Sequence, residues 1–257
     1  MIVFPNAKIN LGLRVTSRRE DGYHNLETLF MPVRQIRDIL EIVHAKESKM
    51  VTYGTPLDGN PEDNLCMKAL RLMQKEYGIG EAEIHLYKKI PVGAGLGGGS
   101  ADCAFTLSAL STIFELHLSK ERLCALAATL GSDCPFFIYN IPMVARGRGE
   151  LLTPFDENLL PDFGKDSRVE VQYPGIHIST REAYASVVPA EPETAVEDIL
   201  RRPIAEWKEL LVNDFEKSVF PKHPRIAAIK EEMYAKGAVY AAMSGSGSAV
   251  YGIFRNL

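Results

Sequence analysis

The chain has 257 residues, 46% hydrophobic and 24% charged, which is typical of a globular protein with one large domain or two moderate ones. With 33 acidic and 29 basic residues its formal net charge is −4, which leaves no electrostatic footprint for nucleic acid or an anionic membrane. The sequence shows no signal-peptide pattern, no apolar run near membrane-span length and no CxxC pairing among its four cysteines. We expect a cytoplasmic, monomeric or dimeric enzyme-sized protein with reduced thiols.

The amino-terminal part of the chain predicts short β-strands. Their expected ranges are 1–4, 9–15, 28–34, 38–44 and 50–53, with Pro5-Asn6 separating the first two. Lys8 and Asn10 fall on one face of the second strand, so an ammonium and an amide are expected to project together. The polar turn that follows ends in Tyr23 and His24, residue types that often serve recognition in loops. A solvated edge lysine and an ordinary turn are the alternatives.

The most informative segment runs from residue 91 to 102 and has five glycines in seven positions. Residues 82–90 predict a strand before it, and residues 101–116 predict a helix after it with Ser100 as N-cap. A strand, a glycine loop and a helix N-terminus in this order bind anions, because unpaired N–H groups and the helix dipole point into the loop. The lysine of the P-loop and the acidic partner of a dinucleotide fold are missing. We predict a phosphate cradle; a glycine-rich packing turn is the alternative.

Around the glycine loop, helices are predicted over 64–77 and over 119–130, the second capped by Ser119. Asp133 follows among small residues and precedes the apolar run 135–138, which predicts a carboxylate at the margin of a core; a helix-cap or turn aspartate is the alternative. Strands are predicted over 137–144 and 149–152. Between them, Arg146 and Arg148 either bind phosphate or lie on the surface.

In the second half, residues 158–166 predict a boundary between domains. Strands are expected over 169–173, 238–242 and 249–254, and helices over 180–188, 194–200, 203–211 and 221–236. The Ser/Gly segment 243–248 separates the last two strands. It is either a plain hairpin turn or a second backbone-rich wall that closes over phosphates opposite the first loop.

These motifs resemble those of the GHMP kinases, the superfamily of galactokinase, homoserine kinase, mevalonate kinase and phosphomevalonate kinase. Residues 91–101 resemble its second motif, Ala7-Lys8-Ile9-Asn10-Leu11 its first and residues 243–249 its third, in the same order. The resemblance implies an α+β fold of two domains. These are a ribosomal S5 domain-2-like, ATP-binding domain over 1–158 and a ferredoxin-like domain over 159–257, with the active site in the cleft between them.

Further segments resemble a smaller group within this superfamily. They are Asp21-Gly22-Tyr23-His24 and residues 61–65, 131–133 and 213–216. With these the resemblance runs from end to end and implies phosphorylation of the 2-hydroxyl of 4-diphosphocytidyl-2-C-methyl-D-erythritol by ATP, in the non-mevalonate isoprenoid pathway. The alternatives are another GHMP small-molecule kinase, for homoserine, mevalonate or a sugar, or a non-catalytic nucleotide-binding protein. Lys8 and Asp133 together argue against a pure binder.

The resemblance also implies roles for individual residues. Asp133 would take the proton from the substrate hydroxyl, and Lys8 would stabilise that carboxylate and the transferred group. ATP would be bound by Asn64, Lys88, Pro91, Gly93, Gly95, Leu96, Gly97, Gly98, Gly99 and Ser100. Ser100 would also be a Mg²⁺ ligand. The substrate would be bound by Asn10, Tyr23, His24, Tyr184, Gly245 and Ser246, with Tyr23 and Tyr184 stacking on cytosine and His24 bonding to its edge.

Overall fold

The computed structural model describes residues 1–160 and 167–256, and the chain divides into two compact units that do not follow chain order. Unit 1 comprises Met1–Ala7, Pro32–Val92 and Gly97–Ile141, and unit 2 comprises Lys8–Met31, Gly93–Leu96 and Pro142–Leu257. The glycine loop is therefore shared between the two. The domain boundary expected at residues 158 and 159 stays a prediction, and residues 161–166 of that segment lie outside the described residues.

Eleven strands are present in the described residues. They are β1 (Ile2–Val3), β2 (Asn6–Arg18), β3 (His24–Arg37), β4 (Ile39–His44), β5 (Lys49–Gly54), β6 (Ala82–Lys88), β7 (Met143–Gly147), β8 (Leu151–Pro154), β9 (Ser167–Gln172), β10 (Tyr240–Met243) and β11 (Val250–Arg255). The break predicted at Pro5-Asn6 is wrong for Asn6, which already belongs to β2. The strand predicted over 137–144 is wrong in its first part, which is helical.

The described residues also form nine α-helices. They are α1 (Leu65–Tyr77), α2 (Gly98–Ile113), α3 (Lys120–Leu130), α4 (Cys134–Tyr139), α5 (Thr180–Tyr184), α6 (Val196–Leu200), α7 (Trp207–Leu210), α8 (Glu216–Val219) and α9 (Pro224–Ala235). Ser119 caps α3 as predicted. The helix predicted over 221–236 is wrong at its start, because Pro224 occupies the first turn of α9 and Pro221 precedes it.

Other helices of the second half are also shorter than predicted. The expected range 180–188 ends at Tyr184, and the range 203–211 divides into a 3-10 turn, Ile204–Glu206, and the short helix α7. Each described helix is too short or too polar to span a membrane. The four cysteines are free thiols.

Unit 1 consists of a four-stranded sheet covered on one face by helices. The strand order is β1-β4-β6-β5, with β5 parallel to β6 and the other pairs antiparallel. Alternate side chains of the two central strands, such as Leu40 and Ile84, are fully buried. Helix α2 packs on β4 and contacts α1, α3 and α4, so it is the central helix of this unit. Its small buried residues, Ala101 and Ala104 among them, let these neighbours approach closely.

Unit 2 contains most of the sheet β2-β3-β7-β8 and the whole sheet β10-β11-β9. Its hydrophobic core joins Leu13 and Val15 of β2 with side chains from α5, α8, α9, β10 and β11. A parallel bridge joins Leu13 to Asn213, and the backbone N–H of Asp214 donates to the carbonyl of Leu13 at 2.8 Å. These contacts hold β2 beside the segment that leads into α8.

Candidate active site

The first half of the glycine loop packs backbone to backbone against the Ser/Gly segment of unit 2. A Cβ on Gly95 would lie 2.0 Å from the carbonyl oxygen of Ser244, so no side chain fits there. The Ser244 hydroxyl donates to the Gly95 carbonyl at 2.9 Å, and the N–H of Ala249 donates to the Ala94 carbonyl at 3.1 Å. The φ angle of Gly95 is +78°, which favours glycine. The segment 243–248 is thus a wall against the loop; its closure over phosphates stays a prediction.

A buried asparagine supports this second wall. The side-chain amide of Asn213 donates to the carbonyls of Met243 at 2.7 Å and Gly245 at 2.9 Å. The carboxylate of Glu216 accepts from the N–H of Met243 at 2.8 Å. The sequence identified the segment 213–216 as a motif but assigned it no role, because these partners lie some thirty residues further along the chain.

Lys8 and Asn10 form a buried polar pair on β2. The ammonium of Lys8 donates to the side-chain oxygen of Asn10 at 2.6 Å and lies 4.7 Å from the ring centroid of Phe30. Lys8 is only 4% exposed. The prediction that the two side chains project together is confirmed, and the solvated-lysine alternative is wrong. A buried ammonium held by an amide is suited to stabilise negative charge.

The same two residues tie β2 to both glycine-rich segments. The N–H of Lys8 donates to the carbonyl of Leu96 at 2.9 Å. The N–H of Asn10 donates to the Ser244 hydroxyl at 3.3 Å, and its side-chain amide donates to Thr28 at 3.0 Å. Three segments that are far apart in sequence therefore meet within unit 2.

The predicted cytosine-binding aromatic residues also lie in unit 2. The rings of His24 and Tyr184 are stacked, 4.7 Å apart and inclined by 20°. Tyr184 meets Phe215 edge to face at 4.7 Å. Tyr23 is 58% exposed, and the guanidinium of Arg148 lies 5.2 Å from its ring centroid. An exposed ring and a stacked pair provide surfaces on which a planar base can stack.

Arg146 and Asn64 have well-defined structural partners. The guanidinium of Arg146 forms ion pairs with Glu27 at 2.8 Å and Glu197 at 3.4 Å, which neutralise it. Asn64 is the N-cap of α1, and its side-chain oxygen accepts from the N–H of Cys66 at 2.8 Å. For Asn64, an additional contact with ATP stays a prediction.

The second half of the glycine loop begins α2 in unit 1. The helix starts at Gly98 with Gly97 as N-cap, so the predicted start at Ala101 with Ser100 as cap is wrong. Gly97 has a φ of +70°, which lets the chain turn sharply into the helix. The helix begins there although Gly98 and Gly99, its first two residues, have low helix propensity. Ser100 consequently lies in the first turn, where backbone N–H groups have no intrahelical acceptor.

Asp133 lies at the N-terminus of α4 in unit 1. It is half-buried, its side chain makes no capping hydrogen bond, and the hydroxyl of Ser132 donates to it at 3.3 Å. The residues that follow, Cys134–Ile138, are buried. The expectation of a carboxylate at the margin of a core is confirmed. Asp133 also occupies the N-cap position of α4, as the helix-cap alternative expects, although its side chain does not bond to the helix backbone. Its approach to Lys8 stays a prediction.

Lys88 is placed in a buried ion cluster rather than on an open surface. It is 3% exposed, and its ammonium lies 2.5 Å from Asp38 and 2.9 Å from Asp102. Burial disfavours the charged amine, but the two carboxylates outweigh it and raise the pKa of Lys88. Burial raises the pKa of Asp102 to about 7, against the opposing effect of Lys88.

Comparisons with known proteins match almost the whole chain to members of one family. The family models described as GHMP kinases N terminal domain and GHMP kinases C terminal match residues 64–140 and 195–257. A 4-diphosphocytidyl-2-C-methyl-D-erythritol kinase from Bacteroides thetaiotaomicron is 52% identical, covering 99% of this chain and 92% of that protein. A crystal structure of 4-(cytidine 5'-diphospho)-2C-methyl-D-erythritol kinase is 36% identical with a TM-score of 0.83, covering 98% of this chain and 89% of that one. The Methanococcus jannaschii mevalonate kinase shares the fold, with a TM-score of 0.70 at 14% identity, covering 100% of this chain and 90% of that one.

Proposed function

This chain belongs to the GHMP kinases and, within them, to the 4-diphosphocytidyl-2-C-methyl-D-erythritol kinases, and on that premise we propose that it transfers the γ-phosphoryl group of ATP to the 2-hydroxyl of 4-diphosphocytidyl-2-C-methyl-D-erythritol. The family resemblance and the two-domain α+β kinase fold inferred from the sequence are confirmed. The reaction belongs to the non-mevalonate route to isoprenoids. The observation that carries the proposal is the meeting of all three family motifs in unit 2, where Lys8 bonds to Leu96 and Asn10 to Ser244.

The kinase family implies ATP as the co-substrate. We assign its phosphates to the backbone of the glycine loop, where the helix dipole of α2 and the N–H groups of its first turn attract anions. The proposed ATP-binding set comprises Asn64, Pro91, Gly93, Gly95, Leu96, Gly97, Gly98, Gly99 and Ser100. Lys88, which the sequence also assigned to ATP binding, is buried between Asp38 and Asp102, and we do not propose a direct contact with ATP for it. Gly245 and Ser246, in the Ser/Gly segment 243–248, are proposed to contact the end of the alcohol substrate that carries the 2-hydroxyl.

In the proposed transfer, Asp133 accepts the proton of the substrate hydroxyl as the oxygen attacks the γ-phosphorus. The bond between that phosphorus and the β–γ bridging oxygen breaks, and ADP leaves with the bonding electrons. Lys8 stabilises the charge on the transferred group, and the side-chain oxygen of Asn10 holds the ammonium of Lys8 in place. Phosphoryl transfer depends on positioning and electrostatics, which one acid and one cation can supply.

The cytidyl group of the substrate is proposed to bind among Tyr23, His24 and Tyr184. The proposal is supported by the stacking of His24 on Tyr184, because the same face of the tyrosine ring packs against a planar group. In our proposal cytosine stacks between Tyr23 and Tyr184 while the imidazole of His24 turns to bond with the edge of the base. Base–aromatic stacking contributes about 1–3 kcal/mol, enough to distinguish a cytidyl substrate from a bare sugar alcohol.

A Mg²⁺ ion suits the residues proposed to surround the phosphates. Among the described residues, no group of three or more His, Cys, Asp or Glu side chains could hold a metal ion by itself. Mg²⁺ in ATP-dependent enzymes is held mainly by phosphate oxygens and water, with one or two protein ligands, so a cage of carboxylates is not required. The Ser100 hydroxyl in the first turn of α2 would supply a protein oxygen. When bound, the ion neutralises phosphate charge.

We further propose a cytoplasmic location, since all four cysteines are free thiols, and a monomeric or homodimeric state. Size-exclusion chromatography with light scattering distinguishes these two states.

The substrate proposal is tested by measuring ADP release with purified protein, Mg²⁺ and ATP. We expect turnover with 4-diphosphocytidyl-2-C-methyl-D-erythritol, and none above the alcohol-free rate with mevalonate, homoserine or galactose. ADP release with mevalonate but not with the cytidyl compound would contradict the substrate assignment. Binding of ATP with no turnover on any alcohol would favour the non-catalytic alternative.

A further inference from the structure

One buried cluster in unit 1 joins the two chain segments that flank the glycine loop. Asp38, in the short connection between β3 and β4, bonds through one oxygen to the ammonium of Lys88. Its other oxygen accepts from the N–H groups of Lys89 at 2.5 Å and Ile90 at 2.8 Å, which are the residues that lead into the loop. The end of β6 is thereby fixed in both side chain and backbone.

The same ammonium continues to the far side of the loop. It donates to Asp102, in the second turn of α2, at 2.9 Å. The remaining oxygen of Asp102 is buried without a hydrogen-bond partner, so the bond to Lys88 is what holds this carboxylate. A chain of two ion pairs thus connects Asp38 to α2 beneath the glycine loop.

The first residue of α2 lies directly over this cluster. A Cβ on Gly98 would be 2.8 Å from the side chain of Ile90 and 3.1 Å from the ammonium of Lys88. Gly98 therefore sits on Lys88, and the position of the helix N-terminus depends on where this ammonium is held. Substitution of Lys88, or of a carboxylate that holds it, would change the surface against which Gly98 and the first turn of α2 pack.

We infer that Asp38, Lys88 and Asp102 position the N-terminus of α2 for the phosphates of ATP, and that Lys88 acts as a positioning residue. The inference rests on the proposed function, in which this helix end binds ATP. A buried ion cluster is a poor source of stability, because desolvation of the charges offsets much of their attraction. Its value in this position is geometric, since it fixes β6 and α2 to a common point on either side of a loop made largely of glycine.

The test uses two substitutions of Asp102. Asp102→Leu removes the connection to α2 and leaves Lys88 paired with Asp38, so the buried charge stays compensated. Asp102→Asn keeps the shape and an oxygen acceptor for Lys88. Binding of a non-hydrolysable ATP analogue with Mg²⁺ is measured by calorimetry, and binding of cytidine diphosphate is measured in parallel. We expect Asp102→Leu to weaken the ATP analogue about ten- to a hundredfold, the effect of misplaced binding groups, with cytidine diphosphate unchanged and Asp102→Asn close to wild type.

A matched control separates positioning from general loss of stability. Leu70→Ala opens a cavity in the buried face of α1, in the same unit, and is expected to lower stability without weakening the ATP analogue. Unchanged ATP-analogue affinity in Asp102→Leu would overturn the inference. The inference would also be overturned if Asp102→Leu lost affinity equally for the ATP analogue and for cytidine diphosphate, in proportion to its loss of stability. If wild-type protein binds no ATP analogue at all, the proposed function fails instead, whatever the variants do.

Discussion

Replacement of Gly95 by alanine tests the close packing of the glycine loop against the Ser/Gly segment 243–248. The new methyl group would lie 2.0 Å from the carbonyl oxygen of Ser244 and 3.3 Å from the backbone nitrogen of Gly247. Both obstacles are main chain, so no side-chain rotation relieves them. The residue must also keep a φ of +78°, which a side chain disfavours.

The expected loss follows from three contributions. The left-handed backbone conformation costs about 1–2 kcal/mol for a residue with a Cβ. Overpacking against fixed atoms costs about 1–3 kcal/mol. The hydrogen bond from the Ser244 hydroxyl to the Gly95 carbonyl, 2.9 Å long, is lost when the walls separate, which costs about 0.5–1.5 kcal/mol. Gly95→Ala should therefore destabilise the protein by about 2.5–6.5 kcal/mol, a large part of a typical folding free energy.

The free energy of unfolding is measured by urea denaturation followed by circular dichroism. Gly99→Ala is the matched control, since a Cβ there meets nothing within 4 Å and alanine favours a helix over glycine by about 0.5–1 kcal/mol. If Gly95→Ala does not fold, Ser244→Ala isolates the hydrogen bond, with an expected loss of about 1 kcal/mol. A Gly95→Ala protein as stable as wild type would refute the packing of the two walls.

Two further predictions concern the reaction itself. Asp133→Asn should lower kcat by about a hundred- to ten-thousandfold, the usual contribution of a general base, while calorimetry shows unchanged ATP-analogue binding; full activity would remove Asp133 from the mechanism. Tyr184→Leu should raise KM for the cytidyl substrate about 5- to 150-fold through the loss of 1–3 kcal/mol of stacking, with KM for ATP unchanged, whereas Tyr184→Phe keeps the ring and should stay near wild type. Equal KM values for Tyr184→Leu and wild type would place the base elsewhere.

The parts of the site that local pattern determines could be predicted from the sequence. The two-residue period of a strand sufficed to place Lys8 and Asn10 on one face, and the structure confirms their contact at 2.6 Å. The glycine density around Gly95 predicted a positive φ, which is confirmed, and a close approach of the backbone to a ligand, which stays a prediction. The order of the family motifs also connects these segments.

Features that depend on tertiary contacts were missed or misplaced. Helix α2 begins at Gly98 although glycine disfavours helices, because Gly97 allows the entry and the ion cluster below supports the first turn. Phe136 and Phe137 favour a strand by local preference but lie in α4, where both are buried. The cluster of Lys88 with Asp38 joins residues fifty positions apart, a pairing that no local pattern reports.

The most direct test of the proposed phosphoryl transfer is phosphorus NMR of the product formed from ATP and 4-diphosphocytidyl-2-C-methyl-D-erythritol. One new phosphomonoester signal, equal in amount to the ADP formed and assigned to the 2-hydroxyl by its coupling to the erythritol carbons, is the expected result. ADP that accumulates with inorganic phosphate alone, or a phosphate attached to a different hydroxyl, would contradict the proposal.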